Sequence, residues 1–146
     1  MTIRALERED FDAWVELWSG YLSFYRADLG DRVTRGTFER LCGETDGMFG
    51  LVALDPGAKL VGIANSVVHR STWTLGSCCY LEDLFVARDR RGGEVGRDLI
   101  ESTAAVARER GAERLYWQAQ EFNGAARSLY DTVGQLTSMV VYERAL

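Results

Sequence analysis

The sequence predicts a mixed α/β (α+β) fold, a mainly antiparallel twisted sheet flanked by helices on both faces. Three β-type runs follow one another in mid-chain, "MFGLVALD", "KLVGIANSVVHRS" and "GSCCYLEDLFVA", with turn signals at Asp55-Pro56-Gly57 and around Gly76. Stretches with apolar residues at helical spacing stand on either side of this block. The 146 residues, 47% of them hydrophobic, suffice for one compact core and leave no room for a second domain. The whole chain, 1–146, reads as a single domain in the order β-α-α-β-β-β-α-β-α-β.

Taken in order, "TIRAL" is a short strand, and Asp10 can cap the helix that follows. Phe11, Trp14, Val15, Leu17, Trp18, Tyr21, Leu22 and Tyr25 give that helix a wide aromatic face, suited to a core and equally to the wall of a cleft. Thr34 or Thr37 opens a second, shorter helix through Phe38 and Leu41, stopping near Gly43. The three strands then form an antiparallel meander. After Arg91 the period turns helical again, with Val95, Leu99, Thr103, Val106 and Ala107 as the apolar stripe and Gly111 as the left-handed residue beyond its end. "ERLYWQAQ" is a strand, Asn123 caps a helix carrying Ala126, Leu129, Tyr130 and Val133 inward up to Gly134, and "SMVVYERAL" is a final strand.

The formal net charge of -5 disfavours a nucleic-acid binder, since neutralising phosphates takes positive surface. The charged start "MTIRALERED" offers neither a secretory signal nor a membrane span, so a cytoplasmic protein with no membrane partner is expected. Cys42, Cys78 and Cys79 have neither disulfide-framework nor zinc spacing, and neighbours in a strand face opposite ways, so one of Cys78 and Cys79 should lie in the core and one outside. His69 is the only histidine, which argues against a histidine-rich metal site and leaves a Ser-His-Asp triad dependent on that one strand residue. No metal is expected.

The stretch "YLEDLFVARDRRGGEVG" joins a strand carrying two acids to a glycine-rich turn at a helix start. Such a turn can hold an anion: the first helical amides lack internal partners, the helix dipole is positive there, and glycines let a ligand approach the backbone. Arg88, Arg90 and Arg91 add countercharge. The loop lacks the Gly-Lys-Ser/Thr of a Walker motif, and the preceding meander argues against a dinucleotide fold.

From Tyr80 to Gly134 the chain resembles the acetyl-coenzyme A (acetyl-CoA)-binding core of the GNAT superfamily of N-acetyltransferases. The pattern is Val86, then Arg91, Gly92, Gly93, Glu94, Val95, Gly96 leading through Arg97 into a helix, then a strand and an Asn...Leu-Tyr helix, Asn123 to Tyr130. "YLEDLFV" and "QEFNGAARSLYDTVG" are most similar to the histone/polyamine (diamine) acetyltransferase-like branch. The resemblance implies acetyl transfer from acetyl-CoA to a primary amine, a polyamine or another small molecule, by direct attack. It implies that the backbone of Leu84, Phe85 and Val86 meets the pantetheine arm and that one amide there receives the thioester carbonyl. Residues 91–97 would hold the pyrophosphate, with Asn123, Ser128 and Arg127 against the rest of the coenzyme. Glu82 would be the general base, with Asp83 as the other candidate or as the group that binds a cationic substrate; the strand period puts the two acids on opposite faces.

Tyr130 would protonate the leaving thiolate, although its place on the inward stripe also suits a core tyrosine. Glu94 departs from the pattern, which has glycine there: pointing inward it would repel the anion, pointing outward it would suit a helix's first turn. If it repels the anion, a non-catalytic coenzyme A-binding sensor or interaction module becomes the alternative. The apolar last strand would either close the sheet's edge or pair with a second subunit, giving a homodimer.

Overall fold

The computed structural model describes residues 1–146. Five strands form one sheet in chain order: β1 (Thr2–Ala5), β2 (Met48–Leu54), β3 (Leu60–Arg70), β4 (Ser77–Val86) and β5 (Ala112–Tyr116). The first three pairings are antiparallel, and β5 joins β4 in parallel. Helices α1 (Phe11–Phe24) and α2 (Gly30–Cys42) precede β2, α3 (Val95–Glu109) crosses from β4 to β5, and α4 (Gly124–Val133) follows β5. The expected meander and the mixed sheet are present.

The period-2 pattern of β2 sends Phe49, Leu51 and Ala53 to one side and Val52 to the other. The first side packs on Val95, Leu99, Ile100 and Ala107 of α3, and Leu129, Tyr130 and Val133 of α4 close against this core. On the other side Trp14, Trp18, Phe38 and Leu41 bring α1 and α2 onto Val52, Leu60 and Ile63. The aromatic stripe of α1 is therefore mostly core at its start: Trp14 and Trp18 are buried and stack with ring centres 5.2 Å apart. Gly111 ends α3 in the left-handed region, φ +83°.

Several expectations are corrected. Asp10 does not cap α1; its carboxylate accepts the Glu7 amide (2.8 Å) and two bonds from Arg4 (2.7 and 2.9 Å), because the opening turn is a separate 3-10 segment, Arg8–Asp10. Helix α2 begins earlier than expected, where Asp28 accepts the amide of a left-handed Gly30, and this places Thr34 and Thr37 inside the helix rather than at its cap. Thr34 instead accepts the Trp18 indole N–H at 3.1 Å. Both Cys78 and Cys79 are buried, since β4 lies inside the sheet. Strand β5 stops at Tyr116, short of Gln120.

The last strand does not form. Residues 135–146 are in neither helix nor sheet, and Leu136, Met139, Val140, Val141 and Tyr142 are exposed. Apolar, β-branched sequence favours a strand only where a neighbouring strand can take its hydrogen bonds. Here the segment pairs with no strand of its own chain, and the outer edge of β5 stays free.

Candidate active site

The site grows out of β4. Its register against β3 slips once: Asn65 pairs with Asp83 and Ser66 with Leu81, so Glu82 is an extra residue, a β-bulge. The bulge interrupts the two-residue alternation. Glu82 and Asp83, expected on opposite faces, both line one cavity of about 610 Å³ between the ends of α1 and α2 and the strands β3 and β4. Beyond Tyr80 the strand also has no pairing with β5, and the sheet opens there. Into this opening face Leu84, Trp117, Gln118 and Tyr130, together with Tyr21, Tyr25 and Glu82. The two spaces thus meet at Tyr21, Tyr25 and Glu82.

The acids differ in environment. Glu82 is exposed, whereas Asp83 is 9% exposed. Burial pushes the Asp83 carboxyl up to about 6, against hydrogen bonds from Asn65 and Tyr21 that hold it down and the neighbouring Glu82 charge that adds to the rise. The Asn65 amide donates to it at 3.1 Å, and Trp14 donates to Asn65 in turn at 3.4 Å. The Tyr21 hydroxyl donates to the Glu82 carbonyl at 3.4 Å. Burial raises the titration of Tyr130 as well, so its hydroxyl stays protonated at neutral pH and can act as a donor. Its ring meets Trp117 edge-on, centres 5.5 Å apart, and so lies both on the core and at the opening.

The glycine turn suits an anion. None of the amides from Gly92 to Arg97 donates to a protein acceptor; Asp98 is the first to bond back, to the Glu94 carbonyl at 2.8 Å. Gly92 is left-handed, φ +80°, and a Cβ on Gly92 or Gly93 would meet open space or a single atom at 3.9 Å. Gly96 has another task, since a Cβ there would stand 3.0 Å from Leu129 and push α4 away. Glu94 points outward, exposed and 3.4 Å from Arg97, so neither its charge nor its bulk fills the turn. Arg97 also donates to Thr132 at 2.8 Å, tying α3 to α4. The amides thus fit a pyrophosphate.

The arginines are less free than expected. Arg90 is paired with Asp55 at 2.8 Å, and Arg91 donates to the Val86 carbonyl at 3.0 Å while covering the Phe85 ring. Arg91 therefore holds the loop against the strand, and Arg88 alone of the three makes no ion pair or hydrogen bond. Phe85 itself packs on the α1 side, where a Cβ on Gly20 would lie 2.9 Å from its ring. At α4, Asn123 accepts the Ala126 amide at 3.3 Å as the expected cap. Ser128 donates to Gly124 and Arg127 to the Glu121 carbonyl, both 2.9 Å, so these two are engaged locally. The structure has no cluster of three or more His, Cys, Asp or Glu side chains able to hold a metal, and no helix long and apolar enough to cross a membrane.

Sequence reasoning did not single out Asn65, Ser66, Arg40 or Asp46, which also line the large cavity. They come from three separate elements, and no local motif joins them.

Comparison with known proteins agrees with this geometry. The model of the acetyltransferase (GNAT) family matches residues 5–134. The D-amino-acid N-acetyltransferase HPA3 of Saccharomyces cerevisiae is 32% identical over 145 residues, 99% of this chain and 90% of that protein. Thialysine N-ε-acetyltransferase of Sus scrofa is 35% identical over 78 residues, which cover 53% of this chain and 45% of that protein. Among solved structures, an AAC(6')-Iy complex with a coenzyme A bisubstrate analogue superposes with a TM-score of 0.85 at 16% identity, over 99% of this chain and 97% of the other. A probable acetyltransferase superposes equally well, TM-score 0.85 at 22% identity, over 100% and 97%. With a fold that uses acetyl-CoA as cosubstrate, the chain belongs to the GNAT acetyltransferase family and is an acetyl-CoA-dependent N-acetyltransferase.

Proposed function

We propose that the chain acetylates a primary amine of a small molecule, with Glu82 as general base and Tyr130 as general acid. The observation that carries this is the position of Glu82, the one carboxylate shared by the acidic cavity and the opening that holds Tyr130. Acetyl-CoA supplies an activated acyl group and a thiol leaving group. Amides 92–97 would hold its pyrophosphate, and the unpaired edge of β4 at Leu84, Phe85 and Val86 would take its pantetheine arm. Asp83, buried beside Asn65, would hold the acceptor as an ammonium ion. Glu82 would then take a proton from that nitrogen, and the raised Tyr130 hydroxyl would give one to the departing sulfur. Asn123, Arg127 and Ser128 belong to the cap and first turns of α4, the helix that carries Tyr130, and would contact the rest of the coenzyme.

The relatives are named for D-amino acids and for thialysine, so amino acids join polyamines as the first acceptors to test. The experiment is coenzyme A release from acetyl-CoA with a panel of D- and L-amino acids, diamino acids and polyamines. Turnover that falls in Glu82→Gln and Tyr130→Phe supports the assignment. Full activity in both variants overturns it. Tight acetyl-CoA binding with no turnover on any member of the panel favours the sensor instead.

The same reading extends to a homodimer in which the exposed segment after Gly134 adds to a second copy's sheet. Its support is the unpaired apolar run Met139–Tyr142 and the free edge of β5. Light scattering should give twice the chain mass, falling to one on removal of residues 137–146. A monomeric full chain would overturn it.

A further inference from the structure

Four charged side chains line the large cavity: Arg40, Asp46, Glu82 and Asp83. Arg40, on the last turn of α2, is its only cation, and no carboxylate pairs with it. Its guanidinium makes two long bonds to its own helix, 3.4 Å to the Gly36 carbonyl and 3.4 Å to the Thr37 hydroxyl. By contrast Arg4, Arg90 and Arg110 each meet a carboxylate at 2.7–2.8 Å. Asp46 lies in the same wall without a salt bridge.

The turn that presents Asp46 is strained. Glu44 and Asp46, neither a glycine, are left-handed at φ 52° and 56°. Each such residue costs about 1 kcal/mol or more. Gly47 fixes the turn against β3, since a Cβ there would come within 2.2 Å of the Val68 carbonyl. The cavity thus has two charged ends, Arg40 with Asp46 and Glu82 with Asp83.

The separation of the ends selects an acceptor. Asp83 pairs with Asn65 on one side of β3, and Met48, two residues past Asp46, pairs with Val67 on the other. Two strand spacings and a two-residue offset place these backbones about 11–12 Å apart. Side chains reaching inward from both ends leave a gap of several ångströms. A single amino group and carboxylate on one carbon cannot bridge it, whereas five bonds of a lysine-like chain span about 6 Å.

We infer that Arg40 and Asp46 form a head-group subsite that binds the carboxylate and α-ammonium of a diamino acid, delivering its distal amine to Glu82 and Asp83. Arg40 offers a two-pronged donor for the carboxylate. Asp46 takes the second ammonium. This rests on the amine-acetyltransferase reading above and adds the orientation of the acceptor.

The test uses the full chain, acetyl-CoA and three probes: lysine, 1,5-diaminopentane and 6-aminohexanoate. Arg40→Gln should raise KM at least tenfold more for lysine and 6-aminohexanoate than for 1,5-diaminopentane, with kcat little changed. Asp46→Asn should raise KM for lysine and 1,5-diaminopentane and spare 6-aminohexanoate. The lysine product should carry the acetyl group on the distal nitrogen. Equal effects of Arg40→Gln on all three probes, no effect on any, or acetylation of the α-nitrogen would overturn the subsite. Calorimetry of lysine binding to the coenzyme A complex separates this from the catalytic assignment. Wild-type binding at least tenfold tighter than that of Arg40→Gln supports the subsite even without turnover, and equal binding overturns it.

Discussion

The proposed acceptor cavity, on Glu82 and Asp83 of the bulged strand β4, and the proposed coenzyme turn, beyond that strand's C-terminal end, are built in opposite ways. The turn is made of backbone: unbonded amides from Gly92 to Arg97, a left-handed Gly92, and a helix start. The cavity is made of side chains contributed by α1, α2, β3, β4 and the turn before β2. A backbone site constrains a short run of residues, so it leaves a readable string. A side-chain site is spread over the chain, and each of its residues looks ordinary in its own neighbourhood. One consequence is that the turn should tolerate changes in outward side chains, whereas the cavity should not tolerate a change in any charge.

The largest effect expected is at the junction of the two regions. Glu82→Gln and Tyr130→Phe should each lower kcat by about 10²-fold or more, the usual contribution of positioned proton transfer, with little change in acetyl-CoA affinity. Steady-state kinetics with the coenzyme and acceptor varied separately checks this. A rise confined to the KM for acetyl-CoA would move these residues to the coenzyme side.

Next comes Asp83. Its carboxyl titrates at about 6 in the fold, against an ordinary 3.8, so its contribution to stability is fully present below about 3.8 and is lost as pH rises through about 6. The difference is worth up to about 3 kcal/mol at neutral pH. Asp83→Asn should therefore melt higher than the wild type at pH 7.5 and lose that advantage near pH 4, while acetylating poorly. In the wild type, kcat/KM should fall below pH 6 as Asp83 protonates. Equal melting curves for the two proteins at pH 7.5 would show that this carboxylate is better solvated than its burial implies.

The turn should respond more mildly. Gly92→Ala places a Cβ in a left-handed conformation, costing about 1 kcal/mol, and should raise the KM for acetyl-CoA several-fold. Smallest of all, Glu94→Gly should change acetyl-CoA affinity by less than about twofold, because its carboxylate points to solvent beside Arg97. A large gain in that variant would mean that Glu94 swings inward when the coenzyme arrives.

The same contrast accounts for what could be read in the sequence. The meander, the α3 stripe, the Asn123 cap and the left-handed Gly111 follow from local rules, and all are present. The glycine turn and Tyr130 lie in two separate motifs that follow one another in the order the resemblance requires. Strict alternation along β4 separated Glu82 from Asp83, because a bulge leaves no composition of its own and depends on the pairing with β3. The final strand failed for a related reason: "SMVVYERAL" has the residues of a strand, but no edge in its own chain receives it. Tyr21 and Tyr25 belonged to a stripe that suited both core and cleft, and α1 uses its first two turns for one and its last two for the other. Arg40 and Asp46 carried no signal, since only folding brings them to one wall.

The extra residue in β4 has an evolutionary cost. Deleting position 82 would let the ladder to β3 run without a break from Ser77 to Val86, restoring the regular pairing that the bulge interrupts. On the roles proposed above the shortened protein would also lose activity, with Glu82 gone and Asp83 the one acid of β4 left at the cavity. Selection for thermal robustness alone would thus tend to erase this irregularity, and its persistence in an active lineage would be the mark of selection for turnover.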